Sequence, residues 1–199
     1  MSHVLSVAKL GIEIYERDAI TLARALLGTH LVHRSDGQLR AGRIVETEAY
    51  VGPHDLACHA AKGLTSRTRV MFGPPGFSYV YLIYGRYHCF NVVCERDGYA
   101  AAVLVRALEP DRGVAASTKG PGLLCDALGI TRAHNGIDLT GDLLWIEDRG
   151  TPAVEIVATP RIGVDYAGEW AAKPLRFVDA ASAWLSRRLT PSVPALPQT

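Results

Sequence analysis

The stretch Thr29–Tyr50, THLVHRSDGQLRAGRIVETEAY, decides the fold. Two runs of strand-favouring residues, Thr29–Arg34 and Leu39–Tyr50, flank the pair Asp36-Gly37. Asp-Gly between two such runs is a strong hairpin signal, because the favoured two-residue turn needs positive φ at both positions. Gly52-Pro53 closes the second strand. Upstream, Asp18–Leu27 reads as a helix capped by Asp18 and closed by Gly28, with Ile20, Ala23, Leu26 and Leu27 as its apolar stripe. Downstream, Tyr79–Ile83, 87–95 and 99–108 read as strands, the last two joined at Asp97-Gly98. A short helix at Leu123–Leu128 ends at Gly129, Leu143–Glu147 and Ala153–Ile162 look extended, and Asp179 caps a last helix to about Arg188. Hairpins with helices at the ends predict one α+β domain over residues 1–189, a curved antiparallel β-sheet flanked by helices. The segment Thr190–Thr199, with Pro191, Pro194 and Pro197, is expected to be a disordered tail.

The 199 residues are enough to bury about 70% of the surface of the unfolded chain. With 48% hydrophobic and 21% charged residues, fibrous and largely disordered classes are excluded. Lys plus Arg number 21 against 20 Asp plus Glu, so the sum of charge neither announces nor excludes a polyanionic partner. The first 18 residues lack the pattern of a signal peptide, and apolar runs such as Tyr99–Val105 are too short to cross a bilayer. A soluble, cytoplasmic protein without membrane partners is expected. Cys58, Cys89, Cys94 and Cys125 show no CxxC spacing. They read as buried reduced thiols, or as part of a zinc site of His88, Cys89 and Cys94. Residues 53–77 are irregular and rich in Gly and Pro, and a connection of that length is usually functional or disordered. No GxSxG, HExxH, P-loop or GxGxxG motif is present.

Alternation along Arg43–Tyr50 points Ile44, Glu46, Glu48 and Tyr50 to one side. That is either a solvated strand face or a general base beside an aromatic wall; a carboxylate that deprotonates water contributes about 10²–10⁴ in rate. Tyr79, Tyr81, Tyr84, Tyr87 and Phe90 form either an aromatic core or a stacking platform for bases. Tyr84 precedes Gly85, so it belongs at a turn, where an aromatic tip can wedge into a base stack. Between Asp55 and Glu95 there is no acid, while Lys62, Arg67, Arg69 and Arg86 are present with His59 and His88. Cations interleaved with aromatics are a nucleic-acid footprint, though four charges can also gather by chance. Arg106 lies in an apolar run and needs a carboxylate partner such as Glu48 or Glu109, either as a structural pair or to hold a base ionised.

Six segments in order then carry a resemblance: RIVETEAY at 43–50, MFGPPG at 71–76, YVYLIYG at 79–85 with Asn91, LVRALEP at 104–110, GEW at 168–170 and KPLRF at 173–177. Together they resemble the alkyladenine (3-methyladenine) DNA glycosylase family of mammalian type, from about residue 20 to 188. The resemblance implies a fold similar to the C-terminal domain of methionyl-tRNA formyltransferase. It implies a monofunctional enzyme, a monomer without metal or cofactor, that flips damaged purines from double-stranded DNA and hydrolyses the bond to the sugar. In a bacterium it would be nucleoid-associated. By the same resemblance, Glu48 activates water and Arg106 and the carbonyl of Ile162 position it. Tyr50 and His59 stack on one face of the purine and Tyr81 on the other. Asn91 excludes the guanine 2-amino group, and Tyr84 fills the gap in the stack. No lysine in these segments is placed as a Schiff-base nucleophile, so strand cleavage is not expected. Departures from the family pattern are Leu123 for a common Lys, Ser66 and Thr68 for Pro and Asn, and Cys58 beside His59. A non-catalytic damage-binding module and an RNA-binding domain on the same scaffold are the alternatives.

Overall fold

A computed structural model describes residues 7–189; the expected Pro-rich tail, 190–199, lies outside them. The strands are β1 (Ala8–Lys9), β2 (His30–Ser35), β3 (Gln38–Tyr50), β4 (Ser78–Ile83), β5 (Tyr87–Cys94), β6 (Ala101–Pro110), β7 (Leu144–Asp148), β8 (Ile156–Thr159) and β9 (Arg176–Asp179). The helices are α1 (Ile12–Tyr15), α2 (Ala19–Ala25) and α3 (Pro121–Leu128). All named strands join one antiparallel sheet in the order β1-β7-β2-β3-β6-β5-β4, with β9 between β3 and β8. The α+β expectation is met.

The opening hairpin forms as read. His30 pairs with Arg43 and Ser35 with Gln38, and Asp36 and Gly37 take φ of 53° and 72°. At α2 the Asp18 carboxylate accepts from the backbone N–H of Ile20 (3.0 Å) and Thr21 (2.9 Å), so the cap sits where expected. The buried stripe is Ala19, Leu22, Ala23 and Leu26, however, and Ile20 is exposed. Spacings of three and four from Ala19 make one helix face, and Ile20 lies off it.

The main core packs α2 and α3 on one face of the sheet, around Leu22, Leu31, Phe90, Val103, Val105, Leu108 and Leu128. The opposite face is covered by the 53–77 segment, which turns through two short helical pieces, His59–Lys62 and Arg69–Phe72. Cys58, Ala60 and Met71 are buried there against Tyr79, Val93 and Ala102.

Three expectations are corrected. First, Ile44 does not share a face with Glu46, Glu48 and Tyr50. The pairing of β3 with β6 slips between Ile44 and Thr47, so Ile44 and Leu108 face the main core while Val45 and Ala107 pack on the other side. A bulge shifts the alternation, and Glu46 keeps the side of Glu48. Second, no helix follows Asp179 among the described residues, and 180–189 run through turns, bends and irregular chain. Asp179 ends β9, pairs with Arg43 at 2.8 Å and accepts from Ala181 N–H at 3.2 Å. The segment is pinned instead by Ser186, which donates its N–H (2.6 Å) and hydroxyl (2.7 Å) to Glu46. Third, within 153–162 only Ile156–Thr159 is strand.

Candidate active site

Sheet register builds the site. Arg176 lies opposite Glu48, Glu48 opposite Leu104, Leu104 opposite Asn91 and Asn91 opposite Tyr79. Residues directly opposite share a face, so these five form one row across β9, β3, β6, β5 and β4. Adjacent strands stand about 4.8 Å apart, which separates the backbones of Glu48 and Asn91 by about 10 Å. A cavity of about 330 Å³ opens over this row, lined by Tyr50, His59, Arg67, Tyr79, Tyr81, Tyr84, Asn91, Leu104, Arg106, Ile162 and Tyr166 among others.

Glu48 has no exposed surface and lies beneath three residues that line the cavity. Ile162 N–H donates to Oε1 at 2.8 Å, the Tyr50 hydroxyl donates to Oε2 at 2.9 Å, and Arg106 Nη1 stands 3.4 Å from Oε2. The carboxylate is therefore enclosed by polar groups, two of them hydrogen-bond donors and the third an ion-pair partner. Burial, then the Glu48 charge, raises the Tyr50 phenol well above its ordinary pKa, so it stays a donor.

Arg106 is buried between two carboxylates, with Nε donating 3.0 Å to Glu46. Burial opposes its charge, but Glu48 and Glu46 outweigh it and hold the guanidinium protonated. The expected alternative partner, Glu109, binds Arg43 instead. Glu46 also accepts from Arg176 Nε at 2.7 Å. Burial pushes its carboxyl up, yet Arg176, Ser186 and Arg106 together bring it below the usual value. Of the two candidate acids, Glu46 is held by Arg106, Arg176 and Ser186, whereas all three partners of Glu48 (Tyr50, Arg106 and Ile162) line the cavity.

His59 Nδ1 stands 2.9 Å from the Tyr79 hydroxyl, and its ring meets Tyr81 edge to face at 4.6 Å between centroids. Burial, then Arg67 and Lys62, pushes the imidazole down to about 4, so it is neutral at pH 7. No base fits between His59 and Tyr81 in this arrangement; admitting one requires a ring to turn. Asn91 is nearly buried and donates to the carbonyls of Tyr79 (3.0 Å) and Cys89 (3.3 Å), which makes it a fixed wall. Tyr84 is 89% exposed at the β4–β5 turn with φ of 53°, and Gly85 follows at 66°. A left-handed tyrosine costs roughly 1 kcal/mol, strain of the kind that collects at functional positions.

The acid-free stretch also contributes to this cavity: Arg67 lies 4.9 Å above the Tyr81 ring. The four cysteines are free and buried. Cys89 faces the cavity and Cys94 the main core, on opposite faces of β5, so they do not converge with His88. Sequence reading missed Asp55, Arg161 and Tyr166; the first two are joined across 106 residues, a distance at which spacing carries no signal.

The model of the methylpurine-DNA glycosylase family matches residues 13–183. The chain belongs to this family. A protein of Myxococcus xanthus (strain DK1622), provisionally named a 3-methyladenine DNA glycosylase, is 61% identical over 166 residues, covering 81% of this chain and 85% of that protein. Proteins of the same provisional name from Anaeromyxobacter dehalogenans (strain 2CP-C) and Legionella pneumophila (strain Corby) are 57% and 51% identical over 180 residues. Each alignment covers 90% of this chain, and 87% and 98% of those proteins. The glycosylase is a hydrolase of N-glycosyl bonds in DNA. Among the described residues no helix is long and apolar enough to cross a membrane.

Proposed function

We propose that this glycosylase removes alkylated or deaminated purines, of the 3-methyladenine, hypoxanthine and ethenoadenine type, from duplex DNA in base excision repair. It flips the damaged nucleotide and hydrolyses its bond to the sugar as a monofunctional enzyme. The observation that carries the reading is the buried Glu48 carboxylate, contacted by Tyr50, Arg106 and Ile162, all of which line one cavity.

Flipping costs a few kcal/mol, least for a base that pairs poorly, and that difference contributes to selectivity. Tyr84 fills the space left in the stack. Tyr50 and Tyr81 stack on the purine once the His59 ring turns aside, and Asn91 excludes a 2-amino group by its fixed position. The bond from C1′ to the base nitrogen breaks with its electron pair going to the purine. The purine is activated by alkylation or takes up a proton. The sugar passes through an oxocarbenium-like state that the Glu48 charge stabilises. Water attacks C1′ and gives its proton to Glu48, with Arg106 orienting both.

The test is a duplex with one hypoxanthine or 1,N6-ethenoadenine, incubated with enzyme and then alkali. Wild type is expected to give strand breaks, and Glu48→Gln to lose about 10²–10⁴ in rate. Equal rates would remove Glu48 as the base, and lesion binding without release would make the protein a damage-binding module.

A further inference from the structure

Asp55 and Arg161 form a bidentate ion pair with no exposure of either side chain, Nη1 to Oδ2 at 2.5 Å and Nη2 to Oδ1 at 2.8 Å. Burial at this depth makes the pair a poor source of stability, since desolvation offsets most of the attraction. The more informative fact is what it touches. The Arg161 guanidinium lies over the Tyr50 ring, 4.7 Å from its centroid, and Nη1 also donates to the Ala49 carbonyl at 2.9 Å. Asp55 accepts from the backbone N–H of Val51 (3.3 Å) and Ala57 (3.0 Å), fixing the loop that leaves Tyr50. Arg161 is the chain neighbour of Ile162. Arg161 Nε is buried with no partner among the described residues, so this guanidinium is not placed to satisfy all its own donors.

One ion pair therefore backs both neutral donors to Glu48, the Tyr50 hydroxyl on Oε2 and the Ile162 N–H on Oε1. We infer that Asp55 and Arg161 are positioning residues that clamp these two donors onto the carboxylate and so set its aim into the cavity. The rate arm of the test rests on the glycosylase reading; the exchange arm does not.

Arg161→Lys keeps the charge and loses the planar fork. In the exchange arm, the Ile162 amide is expected to exchange at least about tenfold faster in this variant, while the core amides of Phe90 and Val103 keep wild-type rates. Unchanged exchange at Ile162, or equal loss at all three amides, overturns the inference. In the rate arm, single-turnover release from a hypoxanthine duplex is expected to fall about tenfold or more, with lesion-duplex Kd held within about threefold. A wild-type rate, or parallel losses in rate, affinity and melting temperature, overturns it. Should Arg161→Lys not fold, Asp55→Leu/Arg161→Met removes both charges and leaves no unpaired buried ion, and is read in the same way. If wild type frees no purine, the glycosylase reading fails, and the exchange arm still decides on the clamp.

Discussion

The Tyr50 phenol donates 2.9 Å to Oε2 of Glu48, two residues back on the same face of β3. One side chain thus supplies both a ring to the cavity and a donor to its buried carboxylate. Tyr50→Phe keeps the ring and removes the donor. Loss of a hydrogen bond to a charged group is expected to cost about 1.5–3 kcal/mol of stability. Base release is expected to fall about tenfold or more while lesion affinity holds, because the carboxylate loses its alignment. Single-turnover rates against duplex affinity check this; a Phe variant at the wild-type rate would make the hydroxyl idle.

Tyr84 combines near-complete exposure with left-handed backbone. Tyr84→Gly is expected to raise stability by up to about 1 kcal/mol by removing that strain. The same change should weaken lesion capture. Opposite signs in thermal unfolding and in duplex affinity are the expected result, and a variant that binds lesion DNA as wild type does would remove Tyr84 from the interface.

Glu46 is fully buried among Arg106, Arg176 and Ser186. Glu46→Gln leaves Arg176 without a carboxylate partner and Arg106 with Glu48 alone, and is expected to cost about 3–5 kcal/mol. In the folded state its carboxyl lies below its unfolded value of 4.5. Its contribution is therefore complete above that value and is lost as pH falls through the lower, folded one. Urea midpoints measured from pH 6 down to 3 should drop more steeply for wild type than for Glu46→Gln.

His59 works in the other direction from a paired histidine. Its folded pKa of about 4 lies below the ordinary 6.5, so the fold favours the neutral ring. The unfolded chain takes up the proton first, and stability contributed by this site declines as pH falls from about 6.5 to 4, then levels off. Proton NMR should show no His59 titration above pH 5. A midpoint near 6.5 would mean the ring is not desolvated.

Asn91→Ser shortens a wall fixed by two hydrogen bonds to backbone carbonyls. Release of guanine-type relative to adenine-type lesions is expected to rise about tenfold or more, the scale of a lost steric exclusion. An unchanged ratio on a paired lesion panel would assign discrimination elsewhere.

The hairpin at Asp36-Gly37, the cap at Asp18 and the turn at Tyr84-Gly85 were legible because each is encoded by neighbours in the chain. The row from Glu48 to Asn91 was not: alternation orients residues within one strand, but which strands neighbour one another, and in what register, is set by the sheet, and Asn91 entered through the resemblance alone. What stayed hidden depends on distant partners. No glycine marks the slip between Ile44 and Thr47, so alternation carried Ile44 to the wrong face. Asp179 looks like a cap, but Arg43 claims its carboxylate and Glu46 claims Ser186, and these contacts override the local preference for helix. The clamp of Asp55 on Arg161 joins two loops with no shared pattern.

β3 pairs with β2 through its first half and with β9 through its second. A nascent chain that has left the ribosome only as far as residue 150 already holds Glu48, Asn91 and every tyrosine of the 79–87 cluster, but neither Ile162 nor Arg176. Its carboxylate then has no amide to hold Oε1 and no strand along its second edge. On the proposed mechanism, excision chemistry therefore waits for translation to pass β9, and a partial product holds the proposed DNA-contacting tyrosines without the amide that aligns Glu48.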